Sequence, residues 1–239
     1  MGEQRLQKVL AAAGIDSRRK CEELILNGVV RVNRKVVDKL PAFVDPEKDI
    51  ITVDGRKIQA VQKIYYLLNK PRGVVCTNSD PQGRKKAIDI IPSTERIFCV
   101  GRLDIDTTGI IILTNDSELA NRLTHPRYGL AKTYVVRIKG RITGEAAGKL
   151  KRGIWLAEGK TAKASVKILK RNYKESLIEI TIRQGLNRQV RRMLARVGLP
   201  VKSLNRTRIG KLNTQGLGVG KFRTLTKAEV AYLKKVTIA

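Results

Sequence analysis

Val100-Gly-Arg-Leu-Asp-Ile-Asp-Thr-Thr-Gly-Ile-Ile-Ile-Leu-Thr-Asn-Asp116 decides how this 239-residue chain is read. Ile110 to Leu113 is a continuous apolar run, suited to a strand buried on both faces. A second strand candidate, Ile97 to Val100, ends where the stretch begins, so Gly101 to Gly109 reads as a loop delivered onto a core by two strands. Asp104 and Asp106 then sit on a loop that rigid elements position. Paired acids suit a metal site or two-carboxylate acid–base work. Two residues apart in one loop, with no third acid close in sequence, they fit neither well. One acid is expected to carry function and the other to shape a turn or cap a helix.

On either side of this loop the chain is rich in strands. Ile64 to Leu68, Thr133 to Ile138, Ala164 to Leu169 and Leu177 to Ile182 have strand patterns. Helices are fewer: Ser117 to Leu123, Glu145 to Lys151, Asn187 to Val197, and one from Thr226, where Thr226-Lys-Ala-Glu229 matches a capping box. This mixture predicts an α+β domain over residues 61–239, built around a largely antiparallel sheet. In the helix from Asn187, Val190, Met193, Leu194 and Val197 fall on one apolar stripe, with Arg188, Arg192 and Arg196 opposite. Arg191 lies between the two faces, where a guanidinium can reach inward to a carboxylate or simply snorkel to solvent.

Residues 1–60 form a different object. They hold 12 basic and 9 acidic residues, against 37 basic and 12 acidic in the remainder. Leu6, Val9 and Leu10 recur at helical spacing until Gly14, and Ser17 is placed to cap a second helix, Arg18 to Leu26, which Gly28 closes. Val29-Val-Arg-Val-Asn33 and Ile50-Ile-Thr-Val-Asp-Gly55 read as short strands. The expected unit is a helix–helix–strand module, followed by a short linker over Gln59–Lys63. Its basic residues Arg18, Arg19, Lys20 and Arg31, with Asn33, gather where a helix start and a strand could meet a phosphate backbone.

The formal charge of +28 calls for an acidic partner, and between Glu179 and Glu229 there are twelve Lys or Arg and no carboxylate. Such a surface points to nucleic acid. Apolar residues make up 42% of the chain, enough to bury real cores. No stretch approaches a membrane span, and a soluble, cytoplasmic protein is expected. Cys21, Cys76 and Cys99 are widely spaced, which argues against a disulfide framework or zinc site and predicts three plain buried thiols. With His125 as the single histidine, a histidine-based metal centre is unavailable.

Taken together, Gly101-Arg-Leu-Asp104 with the following Thr-Gly and Leu-Thr-Asn-Asp resembles the active-site loop of pseudouridine synthases. Asn69-Lys-Pro-Arg-Gly73, Lys132-Thr-Tyr134, Gly185-Leu-Asn-Arg-Gln-Val-Arg-Arg-Met193, Leu204-Asn-Arg-Thr-Arg-Ile-Gly210 and Arg223-Thr-Leu-Thr extend the resemblance almost to the end. Residues 3–58 resemble the alpha-L RNA-binding domain first known from a small-subunit ribosomal protein, with Arg34 standing where a glycine turn is common. This combination is similar to enzymes that isomerise a specific uridine in bacterial ribosomal RNA. The match in Arg5 to Leu26 and in the catalytic motifs favours the large subunit over the small one.

The resemblance implies roles. Asp104 matches the essential aspartate, Tyr134 the tyrosine that stacks on uracil, and Arg191 the arginine that pairs with the aspartate. Arg102 matches a residue that can fill the space of the displaced nucleotide, and Arg188 and Arg192 are expected to contact phosphates. Arg5, Lys8 and Lys70 join the module's basic residues as expected RNA contacts. No cofactor or metal is expected. The expected partner is structured ribosomal RNA, a stem-loop free or within an assembly intermediate, bound by a monomer. A ribosome-assembly factor without catalysis is the alternative against which Asp104, Tyr134 and Arg191 count.

Overall fold

The structure, a computed structural model, describes residues 2–237. It divides into two compact units. One runs to Ile64 and takes in Ser93–Ile97 and Asn115–Ser117; the other comprises Tyr65–Pro92, Phe98–Thr114 and the chain from Glu118.

In the first unit the helical spacing of Leu6 and Leu10 makes α1 (Leu6–Ala12), and Ser17 starts α2 (Arg18–Leu26) by accepting the Lys20 amide at 3.2 Å. Their apolar faces meet Val30, Val44, Ile51 and Val53 in one core, with Cys21 and Ile25 fully buried. Burying each such aliphatic side chain contributes roughly 1.5–3 kcal/mol. Four short antiparallel strands, β1 (Val30–Val32), β2 (Lys35–Val36), β3 (Ile51–Val53) and β4 (Arg56–Lys57), pair in the order β2-β1-β3-β4.

The β1–β2 hairpin turns on Asn33 and Arg34, both left-handed, with φ of 50° and 68°. That is the two-residue turn a right-twisted hairpin favours. It forms here without glycine, so Arg34 bears a left-handed cost of about 1–2 kcal/mol. Asn33 offsets part of it by bonding across the loop: its amide donates to Asp49 Oδ1 at 2.8 Å and its oxygen accepts the Ile50 amide at 2.9 Å.

The second unit is built on a sheet whose main path is β8 (Ser165–Arg171), β9 (Glu175–Ile182), β7 (Lys132–Lys139), β10 (Val201–Ile209), β6 (Thr107–Thr114), β5 (Tyr65–Lys70) and β11 (Phe222–Thr224). All neighbours on this path are antiparallel except β6 and β10. Helices α3 (Ser117–Thr124), α4 (Gly144–Arg152), α5 (Gln189–Arg196) and α6 (Lys227–Lys235) accompany it. The capping box is present: Thr226 accepts from Glu229, whose carboxylate accepts the Thr226 amide. Ile110, Ile112, Leu119, Leu123, Ile209 and Leu233 share one core.

Two expectations change. Strand β6 begins at Thr107, three residues before the apolar run, which shortens the acidic loop. Its first residues pair with β10 at Leu204↔Thr107 and Arg206↔Gly109. A Cβ on Gly109, at φ 109°, would collide with the Arg206 backbone, so glycine is what lets these two strands close up. Strand β10 itself is absent from the sequence pattern, because Lys202, Arg206 and Arg208 interrupt any apolar alternation. No helix among the described residues is long and apolar enough to cross a membrane.

Candidate active site

Asp104 lies on the shortened loop, its carbonyl accepting the Thr107 amide at 2.9 Å just as β6 begins. Its Oδ2 stands 3.3 Å from Arg188 Nη1 and 3.5 Å from Arg191 Nε. Both arginines come from the start of α5. Arg188 is the N-cap residue and is left-handed, at φ 46°. A non-glycine residue held so is costly, and such strain gathers at functional sites. Val190, Met193 and Leu194 bury the apolar stripe of the helix, which fixes its rotation and carries Arg191, at the edge of that stripe, inward. The Arg191 side chain is only 15% exposed, and its Nη2 donates to Thr107 Oγ1 at 3.4 Å. One carboxylate is thus oriented by two guanidinium groups, one of them tied to a buried threonine. Asp106 instead pairs with Arg72 at 3.2 Å, both well exposed, the kind of pair that contributes little.

A cavity of about 150 Å³ is lined by residues that adjoin this ion cluster in the chain, Arg102 before Asp104 and Gln189 and Val190 between Arg188 and Arg191. Its floor is the sheet face, where Lys132 and Tyr134 alternate on β7 and Arg206 stands opposite Tyr134 on β10. Ile112, Leu123, Leu130, Ile182, Val190 and Ile209 are among its apolar walls, and Arg102 and Gln189 also line it. Tyr134 is 8% exposed. A largely apolar space with one aromatic ring and a few polar groups suits a planar, hydrogen-bonding ligand.

Several expected RNA contacts are placed differently. Lys70 is fully buried, and its ammonium donates to the carbonyls of Pro71 at 3.0 Å and Val74 at 2.7 Å. Burial pushes its pKa down, and it fastens the Asn69–Gly73 turn from within, out of reach of RNA. The amide of Asn33 is engaged at both ends in the hairpin loop. Arg192 holds Glu158 through Nη1 at 2.8 Å and Nη2 at 2.5 Å, and its hydrogen bonds lower the Glu158 carboxyl to about 2. Arg188, expected at phosphate, turns to Asp104. By contrast Arg5, Lys8, Arg18, Arg19, Lys20, Arg31 and Arg102 are exposed.

The cysteines also differ from three plain buried thiols. Cys21 is buried, but Cys76 and Cys99 share a thiol hydrogen bond, which lowers the pKa of the first and raises that of the second. His125 accepts the Arg127 amide at 3.2 Å and caps a short turn. Among the described residues no group of three or more His, Cys, Asp or Glu could hold a metal ion. Arg206, Lys132 and Thr107 lie within the motifs that carry the resemblance, yet pattern alone gives them no role; a basic residue amid strand-forming neighbours is the signal for the first.

The model of the RNA pseudouridylate synthase family matches residues 64–196, and that of the S4 domain matches residues 4–51. The chain is 48% identical over 234 residues to ribosomal large subunit pseudouridine synthase B of Bacillus subtilis (strain 168), covering 97% of this chain and 96% of that one. It is 39% identical over 241 residues to the protein of the same name from Pseudomonas aeruginosa, covering 97% of this chain and 62% of the relative. Among solved structures, a pseudouridylate synthase crystal structure superposes with a TM-score of 0.71 at 29% identity, covering 96% of this chain and 99% of the other.

Proposed function

This chain belongs to the RNA pseudouridylate synthase family, and from that premise we propose that it converts one uridine of large-subunit ribosomal RNA to pseudouridine at Asp104. The observation that carries the proposal is the Asp104 carboxylate, held 3.5 Å from Arg191, next to a cavity lined by Tyr134. The name shared by the Bacillus and Pseudomonas relatives supports the choice of subunit.

Isomerising uridine breaks the bond from C1′ to N1, turns the base, and joins C1′ to C5. Atoms and electrons are conserved, so the chemistry needs no redox carrier. Asp104 acts on the target nucleotide, Arg191 orients its carboxylate, and Tyr134 stacks on the uracil. The base has to leave its stack, at a cost of a few kcal/mol. Stacking on Tyr134 and phosphate contacts offset that cost. Arg102, exposed and lining the cavity, fills the space the nucleotide vacates. Arg5, Lys8, Arg18, Arg19, Lys20 and Arg31 bind the surrounding stem-loop, free or in an assembly intermediate, and the protein works as a cytoplasmic monomer.

Pseudouridine and uridine have equal mass, so the test uses a chemical label. Unmodified ribosomal RNA is incubated with wild type or Asp104→Asn, treated with carbodiimide, and mapped by primer extension. A new stop at one large-subunit uridine with wild type alone is expected. Tight binding without a new stop on either subunit RNA or on assembly intermediates would overturn the proposal in favour of an assembly factor.

A further inference from the structure

The cavity beside Asp104 has an electrostatic imbalance that a neutral base alone does not require. Arg102, Lys132 and Arg206 line it, and among the described residues no carboxylate does. Arg206 is 3% exposed; its Nε donates to the Ile110 carbonyl at 2.7 Å, while its buried Nη2 has no protein partner among the described residues. Lys132 Nζ donates to the Leu130 carbonyl at 3.3 Å, again a neutral acceptor. Buried charge hydrogen-bonded only to neutral carbonyls is expensive, and an orphaned buried donor in a native site calls for an acceptor that arrives with a ligand. The apolar walls and Tyr134 argue for a planar base over a phosphate.

On the uridine-isomerising reading above, we propose that Lys132 and Arg206 are two further catalytic residues, which hold the carbonyl oxygens of the uracil and stabilise the negative charge it gains as its glycosidic bond breaks. Cleavage of C1′–N1 leaves the bonding pair on the uracil, spread over N1, O2 and O4. C5 then supplies the pair for the C1′–C5 bond, its hydrogen leaves as a proton, and N1 takes a proton up. The base is neutral at the start and end and anionic between, so cations aimed at its oxygens favour the transition state over the bound substrate. Geometry supports a shared role: Lys132 and Tyr134 are two residues apart on β7, and Arg206 is the cross-strand partner of Tyr134. Desolvation, with Arg206 nearby, depresses Lys132 to about 8, in keeping with a cavity that has surplus positive charge until substrate enters.

The test couples a protein change to a substrate change. Synthetic stem-loops carrying the mapped target as uridine, 2-thiouridine or 4-thiouridine are given to wild type, Lys132→Met and Lys132→Arg. Sulfur is a poorer acceptor than oxygen. Lys132→Met is expected to lower kcat about 10²-fold, with RNA Kd changed less than about twofold and Lys132→Arg recovering part of the rate. One thio substitution should slow wild type about tenfold, and that loss should shrink in Lys132→Met, as a direct contact requires. Folded Lys132→Met with wild-type kcat would overturn the proposal. If Lys132→Met fails to fold, wild type decides: no slowing by either thio base overturns it. Should wild type make no pseudouridine from uridine itself, the parent reading falls; product from uridine with the other arms flat leaves that reading standing and removes this one.

Discussion

Cationic side chains serve the two units in opposite ways. In the first, Arg18, Arg19, Lys20 and Arg31 lie exposed along a helix start and a strand. In the second, three arginines are fixed by partners: Arg191 between Asp104 and Thr107, Arg192 on Glu158, and Arg206 on a backbone carbonyl inside the sheet. Exposed cations on flexible stems act through summed long-range attraction, which salt screens. Fixed ones act at single atoms. On the function proposed above, the same residue type divides between affinity and chemistry, and the division can be broken experimentally.

The largest effect is expected at the centre of the fixed set. Asp104→Asn should lower turnover on the order of 10⁴-fold or more, with RNA Kd preserved, as read by single-turnover kinetics beside a binding isotherm. Arg191→Met should cost about 10²–10³ in kcat, again with Kd nearly constant; a matching loss of affinity would move Arg191 to the binding class. Replacing Arg18, Arg19 and Lys20 together with Ala should do the reverse. Kd at physiological salt is expected to weaken about tenfold, the log–log salt slope to flatten by roughly 2 to 3, and kcat at saturating RNA to stay as in wild type.

The smallest effect concerns protonation. Burial depresses Lys132 to about 8, so the cation that would face the uracil is present below that pH and is lost above it. Arg206 from β10, Arg102 from the loop and Tyr134 on the same strand are the charged or titratable groups lining the cavity with it. kcat/KM should therefore hold to about pH 8 and decline beyond, with the decline displaced upward in Lys132→Arg. An unchanged profile in that variant would assign the titration elsewhere.

Features set by near neighbours were legible in the sequence. The Ser17 cap, the Thr226–Glu229 capping box and the apolar stripe of α5 all depend on residues within a turn or two, and each is where periodicity put it. The edge position of Arg191 could be drawn on the same wheel, whereas its carboxylate, 87 residues earlier, came only from resemblance to a known family. What pattern could not supply depends on distant partners. Lys70 looks like a surface lysine until the turn ending at Val74 wraps it. Arg192 looks free until Glu158 meets it from 34 residues away. Strand β10 is hidden because its buried Arg206 finds an acceptor for Nε only at Ile110, 96 positions distant. Cys76 and Cys99, 23 residues apart, become neighbours only once the chain folds.

Release of tritium from large-subunit ribosomal RNA labelled at uridine C5 tests the central claim most directly, because C5 surrenders its hydrogen only when it bonds to C1′. Wild type should release tritium up to the equivalent of one uridine per RNA and stop, while Asp104→Asn, bound equally well, releases none. Tritium release by Asp104→Asn at the wild-type rate, or none from RNA saturated with active-site-intact protein, would contradict the account.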